Sequence, residues 1–174
     1  MGDQLVRANA IIQRLRNFIE NRSGERQPEK PETLVADAIA LLGILDMRYR
    51  LQTEIEADLP EILVDRVQIQ QVLVNLMRNA VEAMENSVRK ELSLSVGRAK
   101  QGMIEFQLRD SGPGLPAKIR ERVFEPFNST KEDGMGVGLS ICKRIIQDHS
   151  GRIWVEDAPD GGAIFCFTLP LGTL

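Results

Sequence analysis

The spacing of apolar positions divides the chain into segments of different character. At residues 3–20, Leu5, Ala8, Ile12, Leu15 and Ile19 recur at steps of three and four. Ile11 and Phe18 widen the stripe beyond a two-stranded seam, so the spacing predicts one helix of a bundle completed by another copy or by further sequence. "RSGERQPEKP", residues 22–31, interrupts the pattern with two prolines and a glycine and reads as a linker. Leu34, Val35, Ala38, Leu42 and Leu45 then predict a second helix. "LQTEIE" alternates as a strand does, and "ILV" at 62–64 is a short apolar strand. Asp65 stands where it can cap a long helix, 66–86, whose apolar face includes Val67, Val72, Leu73, Leu76 and Ala80.

Further on, "ELSLSVG" and "MIEFQLRD" both alternate and are joined by "RAKQG", which predicts a hairpin. A short helix at about 116–123 and another at 137–148 follow. "RIWVE", the turn "DAPDGG" and "AIFCFTL" make a closing hairpin. Four or five strands interleaved with three helices argue for an α+β fold: a two-layer sandwich with a mixed sheet, preceded by the bundle helix. A dinucleotide-binding fold would show repeated βαβ units instead. The expected divisions are 1–22 for a partial bundle domain, 23–31 for a linker and 32–174 for the main domain.

Bulk properties narrow the function. A formal net charge of −3 over 174 residues gives no electrostatic footprint for nucleic acid. No apolar run reaches membrane-spanning length, and the start lacks a charged-then-apolar leader, so a cytoplasmic setting is expected. Cys142 and Cys166 lie within apolar patterns without CxxC spacing, which suits buried free thiols. The opening Met-Gly inside a helical pattern reads as the start of an engineered fragment.

Four segments carry candidate chemistry. On the long helix Gln71, Asn75, Arg78, Asn79 and Glu82 share one face, either a solvated face or one whose amide oxygens ligate a hard cation such as Mg²⁺. In "RDSGPGLP", Asp110 ends a strand beside Gly112 and Gly114, forming a plain turn or an acceptor for an exocyclic amine such as that of adenine. In "VFEPFNSTK", two aromatics surround Glu-Pro and are followed by Ser129, Thr130 and Lys131, which suit a phosphate. The same third segment runs on into "DGMGVGLSI", where Gly134, Gly136 and Gly138 alternate just before a helix, as a tight turn or as a phosphate cradle at a helix start. The fourth segment, "DGGAIFCFTLP", reads by itself only as a hairpin.

In this order the segments resemble the N, G1, F with G2, and G3 boxes of the catalytic ATP-binding domain of bacterial two-component sensor histidine kinases. They read "QQVLVNLMRNAVEAM", "DSGPGLP", "VFEPFNSTKEDGMGVGLSI" and "DGGAIFCFTLP", and the resemblance covers about residues 32–171. "NLMRNAVEAM" and "FNSTKEDGMGVGLSI" look like the FixL-like oxygen- and nitrogen-sensing kinases. "AIIQRLRNF" looks like the second helix of the family's dimerisation and histidine-phosphotransfer domain.

The resemblance implies a Bergerat-type fold and the substrate ATP, with Mg²⁺ held by Asn79 and with Asn75 beside it. It implies that Asp110 binds the adenine amine while Gly112 and Gly114 shape the pocket. Residues 128–138 would be a mobile lid, bringing Lys131 and the backbone of Gly134, Gly136, Val137, Gly138 and Leu139 to the phosphates. Lys131 and Asn75 are the candidate catalytic residues. The implied partners are ATP or ADP, the acceptor-histidine domain of the same kinase, a downstream response regulator and a second copy in a full-length homodimer. A membrane anchor elsewhere in the full-length protein is compatible with it.

The chain's one histidine, His149, falls in "QDHSGRIW" on the apolar face with Leu139, Cys142 and Ile146, so a packed histidine is expected and the phosphoacceptor is missing. Three alternatives carry the same fold or fewer functions. ATPases of the gyrase, MutL and chaperone class carry a Glu as general base where this chain has Asn75, and an amide cannot take a proton from water. A non-catalytic nucleotide-binding module is the second alternative. Protein-serine anti-sigma kinases, the third, lack the helix at 3–20.

Overall fold

The computed structural model describes residues 24–43, 48–126 and 137–172. The expected bundle helix at 3–20 and Leu45 lie outside these residues. Strand β1 (Gln27–Glu29) is followed by helix α1 (Pro31–Leu42), β2 (Arg50–Ile55), β3 (Ile62–Val64) and the long helix α2 (Arg66–Ala83). Then come β4 (Glu91–Ala99), β5 (Met103–Asp110), the single-turn helix α3 (Ala117–Arg120), α4 (Gly138–Asp148), β6 (Arg152–Asp157) and β7 (Ala163–Pro170).

Five strands form one mixed sheet in the order β2-β4-β5-β7-β6. β2 runs parallel to β4, and the other pairs are antiparallel. Along β4 and β5 every second residue is buried, so only one face of the sheet is covered. Leu92, Leu94 and Val96, then Ile104, Phe106 and Leu108, then Phe165, Phe167 and Leu169 make that inner face. Helices α1, α2 and α4 cover it with Leu34, Val35 and Ala38, with Ile69, Val72, Leu73, Leu76 and Met77, and with Ile141, Ile145 and Ile146. Two layers result, as the alternation predicts.

At the centre Phe106 and Phe167 face each other across β5 and β7, with ring centroids 4.6 Å apart and planes 6° from parallel. The register places two flat, fully buried rings in contact, which adds to their burial.

The long helix ends at Ala83 where 86 was expected, and the short helix covers only Ala117–Arg120 of the expected 116–123; beyond these ends the structure departs from the sequence reading in two places. The stretch read as a linker contains β1, which pairs antiparallel with β3 as Gln27↔Val64, Pro28↔Leu63 and Glu29↔Ile62. Strand β1 is almost wholly exposed, so it carries no alternation to read. Val67, expected on the apolar face of α2, is 72% exposed. Nine residues before Leu76, it lies about 180° around the helix from that core residue, on the far side from the sheet.

Replacing Phe167 with Ala should cost about 3–5 kcal/mol, because the flat neighbour Phe106 cannot fill the void. Urea denaturation measures the loss, and a change below about 1 kcal/mol would show that the stacked pair is not what orders the core.

Candidate nucleotide-binding site

Helix α2 forms the floor of the site. Its start is fixed by Asp65, which is buried and accepts the Gln68 N–H at 3.2 Å through Oδ1, satisfying one of the donors a helix start leaves open. One side of α2 is spent on the core. The other presents Gln71, Asn75 and Asn79 half-buried, with Arg78 and Glu82 exposed.

Helix α4 is what half-covers that polar face. The two helices run antiparallel and meet at three levels. The Asp65 N–H donates to His149 Nε2 at 3.0 Å. The Cys142 thiol lies 4.0 Å from the Val72 carbonyl oxygen. Asn75 Oδ1 lies 3.8 Å from where a Cβ on Gly138 would stand. Cys142 also reaches the Asn75 side chain; burial dominates and pushes the thiol pKa up to about 12, leaving it inert. Both cysteines are buried free thiols, as expected.

The start of α4 points toward the polar face. Val137 precedes the helix and provides no side-chain cap. The first intrahelical bond is Ile141 N–H to the Val137 carbonyl, 3.0 Å, so the N–H groups of Gly138, Leu139 and Ser140 precede the ladder. Val137 and Leu139 are half-buried against the core and hold this end in place. Such a start is electropositive and suits an anion. Lys131, Gly134 and Gly136 lie outside the described residues.

The other end of the site is built on Asp110. It continues the inward row of Ile104, Phe106 and Leu108 at the end of β5, and is only 3% exposed. Oδ1 accepts the N–H groups of Gly112 at 2.8 Å and Ala163 at 3.4 Å. Oδ2 receives no bond among the described residues. Burial raises the pKa of this carboxyl, and the two backbone bonds oppose the rise.

Two glycines make this carboxylate possible. Gly162 has φ +94, and a Cβ there would stand 2.0 Å from the Asp110 carbonyl oxygen. Gly114 has φ +77, with the Gly162 oxygen 3.1 Å from its Cβ position. The segment read from sequence as a mere hairpin turn is thus the back support of Asp110, and Ala163 N–H is a contact that the sequence reading missed. The adjacent "DGG" signalled a turn but not what it packs against. Gly112 rests on the end of α2, its Cβ position 3.2 Å from the Ala83 oxygen. Asn79 lies one helical turn, about 6 Å, before Ala83, which brings Asp110 and the amide face into one site.

Phe124 of the third segment acts as an anchor, while Phe127, Ser129 and Thr130 lie outside the described residues. Val123 is buried, and Phe124 meets Phe165 edge-on at 6.3 Å. His149 is 3% exposed, with Nδ1 2.8 Å from the Ile145 carbonyl and Nε2 accepting from Asp65. A neutral imidazole with its proton on Nδ1 satisfies both contacts, so neither nitrogen is open to chemistry. Among the described residues no cluster of three His, Cys, Asp or Glu could hold a metal. Nor is any helix among them long and apolar enough to cross a membrane.

Comparison with known proteins agrees with this geometry. The family model described as histidine kinase-, DNA gyrase B- and HSP90-like ATPase matches residues 64–173. The sensor protein FixL of Bradyrhizobium diazoefficiens is 44% identical over 171 residues, covering 97% of this chain and 34% of FixL. The chain therefore spans about a third of that relative's length. The catalytic domain of the histidine kinase ThkA superposes with a TM-score of 0.75 at 32% identity, covering 84% of this chain and 96% of ThkA's. ThkA in complex with the response regulator TrrA gives a TM-score of 0.79 at 27% identity over 98% of this chain and 49% of that one. Full-length ShkA in complex with AMPPNP gives 0.73 at 29% identity over 86% of this chain and 32% of that one. The mixed five-stranded sheet, the helix pair above it and the family model over residues 64–173 agree: the chain belongs to the histidine kinase-, DNA gyrase B- and HSP90-like ATPase family, as the catalytic ATP-binding domain of a sensor histidine kinase.

Proposed function

We propose that this domain binds Mg-ATP and passes the γ-phosphoryl group to a histidine of a dimerisation domain. The observation that carries the reading is the pairing of a neutral amide face, Asn75 and Asn79, with the open N-terminus of α4. Asp110 closes the opposite end with a spare carboxylate oxygen. A nucleotide matches that polarity: its exocyclic amine donates to Asp110 Oδ2, and its phosphates reach the N–H groups at Gly138 and Leu139. Gly112 and Gly114 shape the adenine pocket between them.

The donor set fits Mg²⁺. Asn79, with Asn75 beside it, offers hard neutral oxygens, and a small cation that keeps its waters needs few protein ligands when phosphates supply the rest. When bound, Mg²⁺ neutralises phosphate charge as the transfer proceeds. Lys131 and the backbone of Gly134, Gly136 and Val137 join the phosphate contacts in this reading, as a lid.

Asn75 also separates kinase from hydrolase. Its amide accepts no proton, so water attack lacks a base, whereas an acceptor imidazole is already a nucleophile and needs mainly positioning. His149 cannot be that acceptor, because both of its ring nitrogens are engaged. The acceptor domain of the same kinase, a second copy in a homodimer and a response regulator downstream are the partners that follow. The ThkA–TrrA complex supports the last of these, the response regulator.

Replacing Asp110 with Ala should lower ADP affinity about tenfold to a hundredfold, the worth of one charged hydrogen bond of about 1.5–3 kcal/mol. Protonating Asp110 places hydrogen on the accepting oxygen. Because burial raises this pKa, ADP affinity in the parent should fall as pH drops, starting above the ordinary carboxylate range; the Ala variant should lack that fall. Calorimetry across pH reads both, and equal affinity in parent and variant refutes the adenine assignment.

Replacing Asn79 with Ala should abolish the Mg²⁺ dependence of ADP binding while leaving metal-free binding unchanged. A magnesium effect that survives the substitution refutes the assignment.

With radiolabelled γ-phosphate the chain should not label itself and should release phosphate slowly. Added to a purified dimerisation domain bearing the acceptor histidine, it should form an acid-labile, base-stable phosphohistidine. The yield should be low, since the tether that raises local concentration is absent. Rapid phosphate release with no transfer to histidine would favour the ATPase reading.

A further inference from the structure

We propose that residues 24–26 are a latch that sets how α4 sits over the phosphate half of the site, acting through Asp65 and His149 as positioning residues. The inference rests on the nucleotide-binding reading above.

The latch has two contacts. Gly24 N–H donates to Asp65 Oδ2 at 2.6 Å, and the Arg26 guanidinium donates to the Asp148 carbonyl at the end of α4. β1, immediately after them, is tied to β3, which leads directly into Asp65. Asp65 is 6% exposed and joins three segments at once. Oδ1 takes the Gln68 N–H that starts α2, Oδ2 takes the incoming chain, and the Asp65 N–H is accepted by His149 at the close of α4. His149 is in turn locked to Ile145 one turn back.

A helix cap alone needs only one carboxylate oxygen. The second oxygen is given to the chain that arrives from residues 1–23. The fit is close, since a Cβ on Gly24 would stand 2.8 Å from Asp65 Oδ2 and 3.2 Å from its Cγ.

The latch does not touch the nucleotide. Ten residues of α2 separate Asp65 from Asn75, and eleven of α4 separate Gly138 from His149, about 15 Å in each case. Because the helices are antiparallel, a shift of the His149 end along or about α2 is carried to Gly138 over Asn75. At that end Asn75 lies 3.8 Å from the Gly138 Cβ position, a looser contact than the hydrogen bonds at the latch. Latch and nucleotide therefore bias the same helix, and linkage makes the effect reciprocal: nucleotide tightens the latch as much as the latch favours nucleotide.

The test uses the whole 174-residue chain. Asp65→Asn keeps a residue that caps helices as well as Asp, but Gln68 and Gly24 use different oxygens, and the NH₂ that replaces one of them turns a donor toward an N–H group. Gly24→Ala combined with Arg26→Ala breaks the latch from outside the helices. Both should retain a cooperative melt and lower ADP affinity about five- to tenfold, a coupling of ordinary size. Arg26→Lys, which keeps a donor for the Asp148 carbonyl, should restore part of the affinity when it replaces Arg26→Ala in that pair. By hydrogen exchange, ADP should increase protection at residues 24–29 in the parent and not in the variants. Parent-like affinity in both variants, or no ADP-dependent protection at 24–29, overturns the latch while leaving nucleotide binding intact. Without nucleotide, exchange at the Asp65 and His149 amides should rise in the Gly24/Arg26 variant. Unchanged exchange there overturns the latch whether or not the chain binds ADP.

Discussion

The antiparallel contact between α2 and α4 is the constraint on which the site depends. α2 must bury one face on the sheet, and that alone would leave its amide side in water. Packing α4 along the second side turns those amides into a floor beneath a helix start. The same contact aims an electropositive end at oxygen-bearing side chains without placing a formal charge there. Among the described residues the contact between the two helices is thus made of amides and backbone N–H groups, which need no buried charge to face an anion.

The carboxylate at the opposite end follows a different logic. Asp110 holds a position in the inward row of β5 that would otherwise be apolar, after Ile104, Phe106 and Leu108. Its charge is tolerated because two backbone N–H groups satisfy one oxygen. In the proposed reading the other oxygen accepts a donor from the ligand. On that reading a ligand with a carbonyl at the same place would leave two acceptors facing each other, which favours an amine there.

Much of this was legible in the sequence. β4 and β5 alternate cleanly because one sheet face is buried and the other is not, and α2 announces itself by a cap residue and a 3.6-residue apolar period. Box order pointed to the amide face and Asp110, which the fold brings to the two ends of one site. What escaped was whatever depends on partners distant along the chain. The Asp65–His149 bond joins residues 84 apart, and nothing local to either residue signals it. Likewise Gly162 looks like any turn glycine until Asp110 is placed behind it. β1 escaped because a three-residue strand with almost no burial leaves no periodic trace, and Val67 misled because an apolar side chain in a first turn need not face the core.

Among the described residues the two rims of the main sheet, β2 and β6, leave backbone groups open to a neighbour, a standing invitation for sheets of different molecules to fuse. On β6 the Arg152 guanidinium lies 5.3 Å from the Trp154 ring centre, and the indole N–H donates to Glu156 at 2.6 Å. This row of alternating charges clasped around an aromatic ring makes the rim a poor template for another strand. On β2, Arg50 and Glu54 are exposed, and Glu56 just beyond is paired with Arg98. A sheet with such rims can lie beside other chains without fusing edge to edge. Its charged rims leave recognition to side chains, and deny it to bare backbone.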